Sequence, residues 1–175
     1  MNSMTPVLID YWRRLPAHPA ESRRRSLEES RDRVAAGELP ADALIPYALG
    51  DVDEEVVFEA AAAFLDAGRT GTHGGGSAVG DAIEWVRRGL ALNRGAVFAA
   101  LLAAGDASVN ERLAAHRLTL STEETATVCR RAAADDRKPT REFLAGWAEL
   151  LGAGAERPEL AFIAAALGAA SVLDS

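Results

Sequence analysis

The feature that most constrains this chain is a spacing. From residue 52 to residue 67, apolar side chains recur at helical intervals. At 100° per residue, Val56, Val57, Ala60, Ala61, Phe64 and Leu65 fall on one side and Glu55, Glu59 and Asp66 on the other. A stripe this broad needs other elements to bury it, and the opposite face is acidic and solvated. Asp51 or Asp53 is placed to cap the helix, because a short carboxylate accepts from the orphan amides of the first turn. Glu54 and Glu55 follow where the helix dipole favours negative charge. Gly68 stands where a terminating glycine is expected. Runs of β-branched residues with period two are missing, so the expected class is all-α.

Other segments have the same character. Hydrophobic residues make up 49% of the chain and aromatic ones only 6%, and much of the apolar content is alanine, which favours helix and close helix packing. The length of 175 residues suits one domain with a real core. Thr5-Pro6 opens a short helix with Leu8, Tyr11, Trp12 and Leu15 on its stripe. Residues 20–36 are charged, with Arg24/Glu28 and Arg25/Glu29 spaced for pairing along one helix. Only Leu27, Val34 and Ala35 look buried there, and Gly37 ends the segment. Pro40 opens a helix through Leu44, Ile45 and Leu49, and Gly50-Asp51 joins it to the acidic helix.

Residues 68–80 are glycine-rich and read as a flexible loop. Helices are expected at about 81–92, with Trp85 on a flanking face, and at about 95–104. Gly105-Asp106 repeats the joint, and a helix with Val109, Leu113 and His116 on one stripe follows. Ser121 and Glu124 form a capping box for a helix to about Ala134. Pro139 and Pro158 open the last two helices, the first carrying Trp147.

Two internal echoes accompany this pattern. Residues 48–56 and 103–109 both run from small residues through Gly-Asp into an amphipathic helix, and residues 55–62 echo residues 159–166. Helix pairs with an Asp-containing joint and an alanine-rich inner helix resemble HEAT-type repeats over about residues 38–170. The resemblance implies a short right-handed α-solenoid of antiparallel helix pairs, each burying its apolar face on its neighbours. A compact, irregular helical bundle is the alternative.

Charge narrows the function. Residues 38–67 hold eight acidic residues and no lysine or arginine, so this segment carries −8 in a chain of −7 and the remainder sums to about +1. Such a band repels nucleic acid and favours a basic partner, although a solvated acidic face also serves solubility alone. Some HEAT-like proteins are DNA glycosylases with a basic concave surface, and the acidic balance argues against that role. The run Arg23-Arg24-Arg25 is interleaved with acids and reads as a solvated helix face. The longest uncharged apolar stretch, Leu160 to Leu173, is too short to span a bilayer, and no signal peptide is visible. A single cysteine, Cys129, allows no internal disulfide and fits a reducing compartment, so a cytoplasmic protein is expected.

Catalytic equipment is sparse. His73-Gly74-Gly75-Gly76 matches an oxyanion-hole string of some esterases, yet no G-x-S-x-G elbow or sheet accompanies it. The same loop is no P-loop. His18, His73 and His116 form no metal-ligand spacing, His116 reads as a core histidine, and nothing places it beside Cys129 as a nucleophile–base pair. Glu55 and Glu59 lack the histidines of a di-iron bundle. No catalytic residue, metal ligand or cofactor is expected.

The leading expectation is a non-enzymatic interaction module that meets a basic patch on a protein partner through Glu54, Glu55, Glu59 and Asp66. Exposed terminal repeats would allow a homodimer. An immunity- or antitoxin-type inhibitor is one alternative. A small-molecule binder or enzyme with the 68–80 loop as a lid and His73 as its polar group is the other.

Overall fold

The computed structural model describes residues 10, 11, 13, 18–69, 78–104 and 121–134. Among the described residues helix predominates and no strand occurs, as the missing period-two pattern requires. The elements are α1 (Ala20–Ala35), a 3₁₀ turn (Ala41–Leu44), α2 (Ile45–Gly50), α3 (Glu54–Arg69), α4 (Ala78–Arg87), α5 (Arg94–Ala103) and α6 (Thr122–Ala134). Trp12, His73, Gly105-Asp106, His116, Trp147 and the segment from Pro158 lie outside the described residues.

The stripe expected around residues 52–67 is the centre of the fold. Helix α3 packs against α1, the 3₁₀ turn, α2, α4 and α5. It buries Val56, Val57, Phe58, Ala60, Ala61, Phe64, Leu65 and Ala67. Trp85 of α4 is buried as well, with its ring 4.8 Å from that of Phe64. After Arg94, helix α5 is apolar all round, and every residue from Gly95 to Ala103 is buried, as a helix surrounded by others must be. It packs on α3, α4 and α6.

Local chemistry sets most of the ends. Asp53 caps α3: its Oδ2 accepts from the Val56 amide at 3.1 Å, and its carbonyl accepts the first helical bond from Val57 at 3.0 Å. Ser121 and Glu124 form the expected capping box, each side chain accepting from the other's amide, at 3.1 and 2.9 Å. Gly37 and Gly89 adopt positive φ of 76° and 65° and close α1 and α4. The Glu38 and Leu90 amides then reach back to the carbonyls of Arg33 and Trp85. Gly89 therefore ends α4 earlier than the hydrophobic pattern, which ran to residue 92, suggests.

Three other expectations differ from the structure. Pro46 has no amide to donate to Asp42, so the segment opened by Pro40 begins as a 3₁₀ turn and becomes α-helical only at Ile45. Ala35 is exposed, while Leu27 and Val34 are buried. Gly68 does not end α3. It lies inside the last turn, where a β-carbon would collide with that of Ala78 at the start of α4. This glycine marks a close helix approach.

Phe64 is fully buried against Trp85, so Phe64→Ala removes a ring and leaves a cavity. The expected loss is about 3–5 kcal/mol, read as a lowered urea midpoint at unchanged m-value.

Candidate functional site

The acidic band is met by arginines. On α1, Arg23, Leu27, Arg31 and Val34 share one side of the helix, with Arg24 at its edge. That side faces α3 and the joint before it. Arg23 donates from Nε and Nη2 to the Asp51 carboxylate, at 2.8 and 3.1 Å. Arg24 reaches Asp53 at 3.1 Å and Glu55 at 3.2 Å. Arg31 pairs with Glu59 at 2.9 Å. The pairing of Arg24 with Glu28 along α1 is thus replaced by pairing across helices. Of the arginine run, read from sequence as a solvated face, Arg24 and Arg25 are exposed, while Arg23 and Arg24 add cross-helix contacts to the buried Leu27 and Val34 in seating the helix.

Asp51 is the buried member of this set, with a side-chain exposure of 0%. Its Oδ2 also accepts from the Tyr11 hydroxyl at 2.6 Å, and its Oδ1 from the Asp53 amide at 2.9 Å. Four donors saturate the carboxylate, which is how a buried charge is tolerated. Burial, then the hydrogen bond to Asp51, pushes the Tyr11 hydroxyl far above its ordinary range. Burial opposes ionisation of Asp53, but the Val56 amide and Arg24 outweigh it and hold Asp53 below the usual carboxylate range.

The four acids expected to bind a partner do not form one bare face. Glu54 accepts from Arg131 at 2.9 Å and Arg130 at 3.2 Å, tying α3 to α6. Arg131 also lies 5.0 Å above the Phe58 ring. Glu55 and Glu59 face α1 through Arg24 and Arg31. Asp66 pairs with Arg69 one turn on, and Arg69 also donates to the Ala104 carbonyl at the end of α5, at 3.0 Å.

Glu59 and Asp66 nevertheless line the same groove. It lies between α1, α3 and α5 and encloses about 520 Å³. Its floor is small and apolar, formed by Phe58, Ala62, Ala63, Ala100 and Ala103, and its rim includes Arg31, Asp32, Glu59, Asp66 and Arg69. A second cavity of about 410 Å³ lies between α1 and α3, lined by Arg24, Glu28, Glu55 and others. Arg31 and Glu59 line both. Sequence reasoning missed Asp32 and the alanine floor. Ala62 and Ala63 do fall outside the broad stripe of Val56, Val57, Ala60, Ala61, Phe64 and Leu65, and that offset was the available signal.

Among the described residues, no group of three or more His, Cys, Asp or Glu side chains is placed to hold a metal ion. No described helix is long and apolar enough to cross a membrane. His18 is exposed, and its carbonyl accepts from Arg23 at 2.7 Å. The chain matches no known family model, no curated protein and no solved structure.

Two outcomes follow from the buried cluster. Asp51→Ala leaves Arg23 without its carboxylate in a largely buried setting and is expected to cost about 3–5 kcal/mol in urea unfolding. The folded-state value of Tyr11 is raised above the ordinary 10.0, so its contribution is fully present below that pH and is lost as pH rises beyond it. Asp53 works the other way, its contribution present above the ordinary carboxylate range and lost as pH falls through it. Stability measured against pH should therefore fall at both ends, and Tyr11→Phe should flatten the alkaline limb while lowering stability at neutral pH, because Asp51 loses one of its four donors.

Proposed function

We propose that this protein is a non-enzymatic interaction module that binds a protein partner with a basic patch. The observation that carries the reading is the groove between α1, α3 and α5: an alanine and phenylalanine floor beside the carboxylates of Asp32, Glu59 and Asp66. An apolar floor supplies area to bury, and the acidic rim favours cations and suppresses acidic competitors. Side chains at the rim are exposed, with Glu59 at 42% and Asp66 at 64%. Pairs this exposed contribute at most about 1 kcal/mol each, so a partner's cation can take the place of an internal one. Glu59 and Asp66 are the partner-facing acids in this reading, while Glu54 and Glu55 serve mainly to seat α6 and α1.

A HEAT-like stack is the arrangement that best accommodates such a groove. The register differs from the sequence echo, which pairs α5 with the segment after Gly105-Asp106: here the pairs α2/α3 and α4/α5 follow one another in the chain, and α3 packs on both α4 and α5. Their joints also meet: the Leu92 amide donates to Leu49 at 3.1 Å, and Asn93 Nδ2 to the Val52 carbonyl at 3.4 Å. Helix pairs with adjacent joints fit stacked repeats. The lid alternative turns on residues 70–77, which lie outside the described residues, and the inhibitor alternative shares the acidic groove.

The test is affinity capture from native lysate by the wild type, Ala63→Trp and Asp66→Lys, with matched thermal melts. A basic protein retained by the wild type and lost from both variants is the expected result. Equal retention by both variants removes the groove from the function.

A further inference from the structure

Helices α1 and α3 together wall two cavities, and a single ion pair is common to both. Arg31 and Glu59, 2.9 Å apart and each about two-fifths exposed, line both the 520 Å³ groove and the 410 Å³ cavity. We infer that this pair is a displaceable bar. In this inference, which rests on the groove reading above, the partner is a basic amphipathic helix that takes Glu59 from Arg31 and lies along α3 across both cavities.

Charge and dimension converge on that occupant. Together the two cavities present the carboxylates of Glu28, Asp32, Glu55, Glu59 and Asp66. Against them stand the guanidiniums of Arg24, Arg31 and Arg69, so the merged trough is acidic by two charges. From Glu55 to Arg69, α3 rises about 21 Å, the length of a partner helix of about four turns. A floor of alanines accepts larger aliphatic knobs from such a helix, the helix-in-groove mode in which apolar residues recur three and four apart. Removing Arg31 should also leave α1 seated. Arg23 clamps Asp51 at one end of the helix, and Leu27 and Val34 remain buried.

The opening of the bar makes a distinctive prediction, because deleting a cation from this protein should strengthen binding of a cationic ligand. The probe is a helical peptide of about 15 residues, leucine on one face and lysine on the other, titrated by fluorescence anisotropy against the full-length chain. A leucine–glutamate peptide of the same pattern is the control. Wild type is expected to bind the lysine peptide and not the glutamate one, with Ala63→Trp abolishing binding. Arg31→Ala should bind about two- to fivefold tighter, the range of an exposed ion pair. Glu59→Gln should bind more weakly, and both differences should shrink with added salt. Arg31→Gln repeats the deletion with a longer neutral side chain should the alanine variant prove unstable. If neither Arg31 variant binds more tightly while Ala63→Trp still abolishes binding, the bar is wrong and the groove reading stands. If the wild type and the Arg31 variants all fail to bind the lysine peptide, or if Ala63→Trp binds as the wild type does, the groove reading falls and the bar with it.

Discussion

A carboxylate with no contact with solvent anchors the N-terminal half of this fold. Asp51 accepts from two nitrogens of Arg23, the Tyr11 hydroxyl and the Asp53 amide. Placed in the joint between α2 and α3, it draws in α1 and Tyr11. A buried charge with fewer donors would destabilise the fold. With four, it makes three chain segments depend on one geometry. Tyr11 adds an edge-on contact with Tyr47, ring centroids 5.2 Å apart, and Tyr47 in turn shares a 2.7 Å hydrogen bond with Ser26 of α1.

The same pairing logic recurs outward from that point with falling burial. Arg24 and Arg31 continue the seam toward solvent, where screening makes each pair weak and exchangeable. Hydrophobic burial does the opposite work around α3 and α5, where Phe64, Trp85 and the apolar residues 95–103 of α5 form the core. The molecule thus has a rigid apolar centre and an ionic margin. Its groove lies where the two meet, with α5 and the inner side of α3 below and the Arg31–Glu59 pair at the edge.

Much of the helical layout was legible because its causes are local. The α3 stripe, the Gly37 stop and the Ser121/Glu124 capping box each depend on residues within a turn or two of one another. Gly68 misled for an instructive reason. A glycine after an apolar stripe is consistent with a stop and with a helix crossing, and only the presence of Ala78 decides between them. The site was less legible. Eight acids without a base between residues 38 and 67 suggest a bare acidic face only while α1 and α6 are treated as separate helices. Arginines 28 and 77 residues away in sequence, Arg31 and Arg131, supply the missing charge.

By itself the sequence determined the helical class, the central role of the residue 52–67 segment and the residues that cap or close several helices. Helical periodicity and capping are short-range physics. The tertiary structure alone decided that Asp53 caps α3 while Asp51 is buried as an anchor, and that Arg23, Arg24 and Arg31 of α1 turn toward α3 and its joint. It also decided that Glu59 and Asp66 share a groove from which Glu54 is excluded. Each of these outcomes depends on which distant helix lies opposite, because an ion pair or a cavity wall requires two surfaces that chain spacing alone does not bring together.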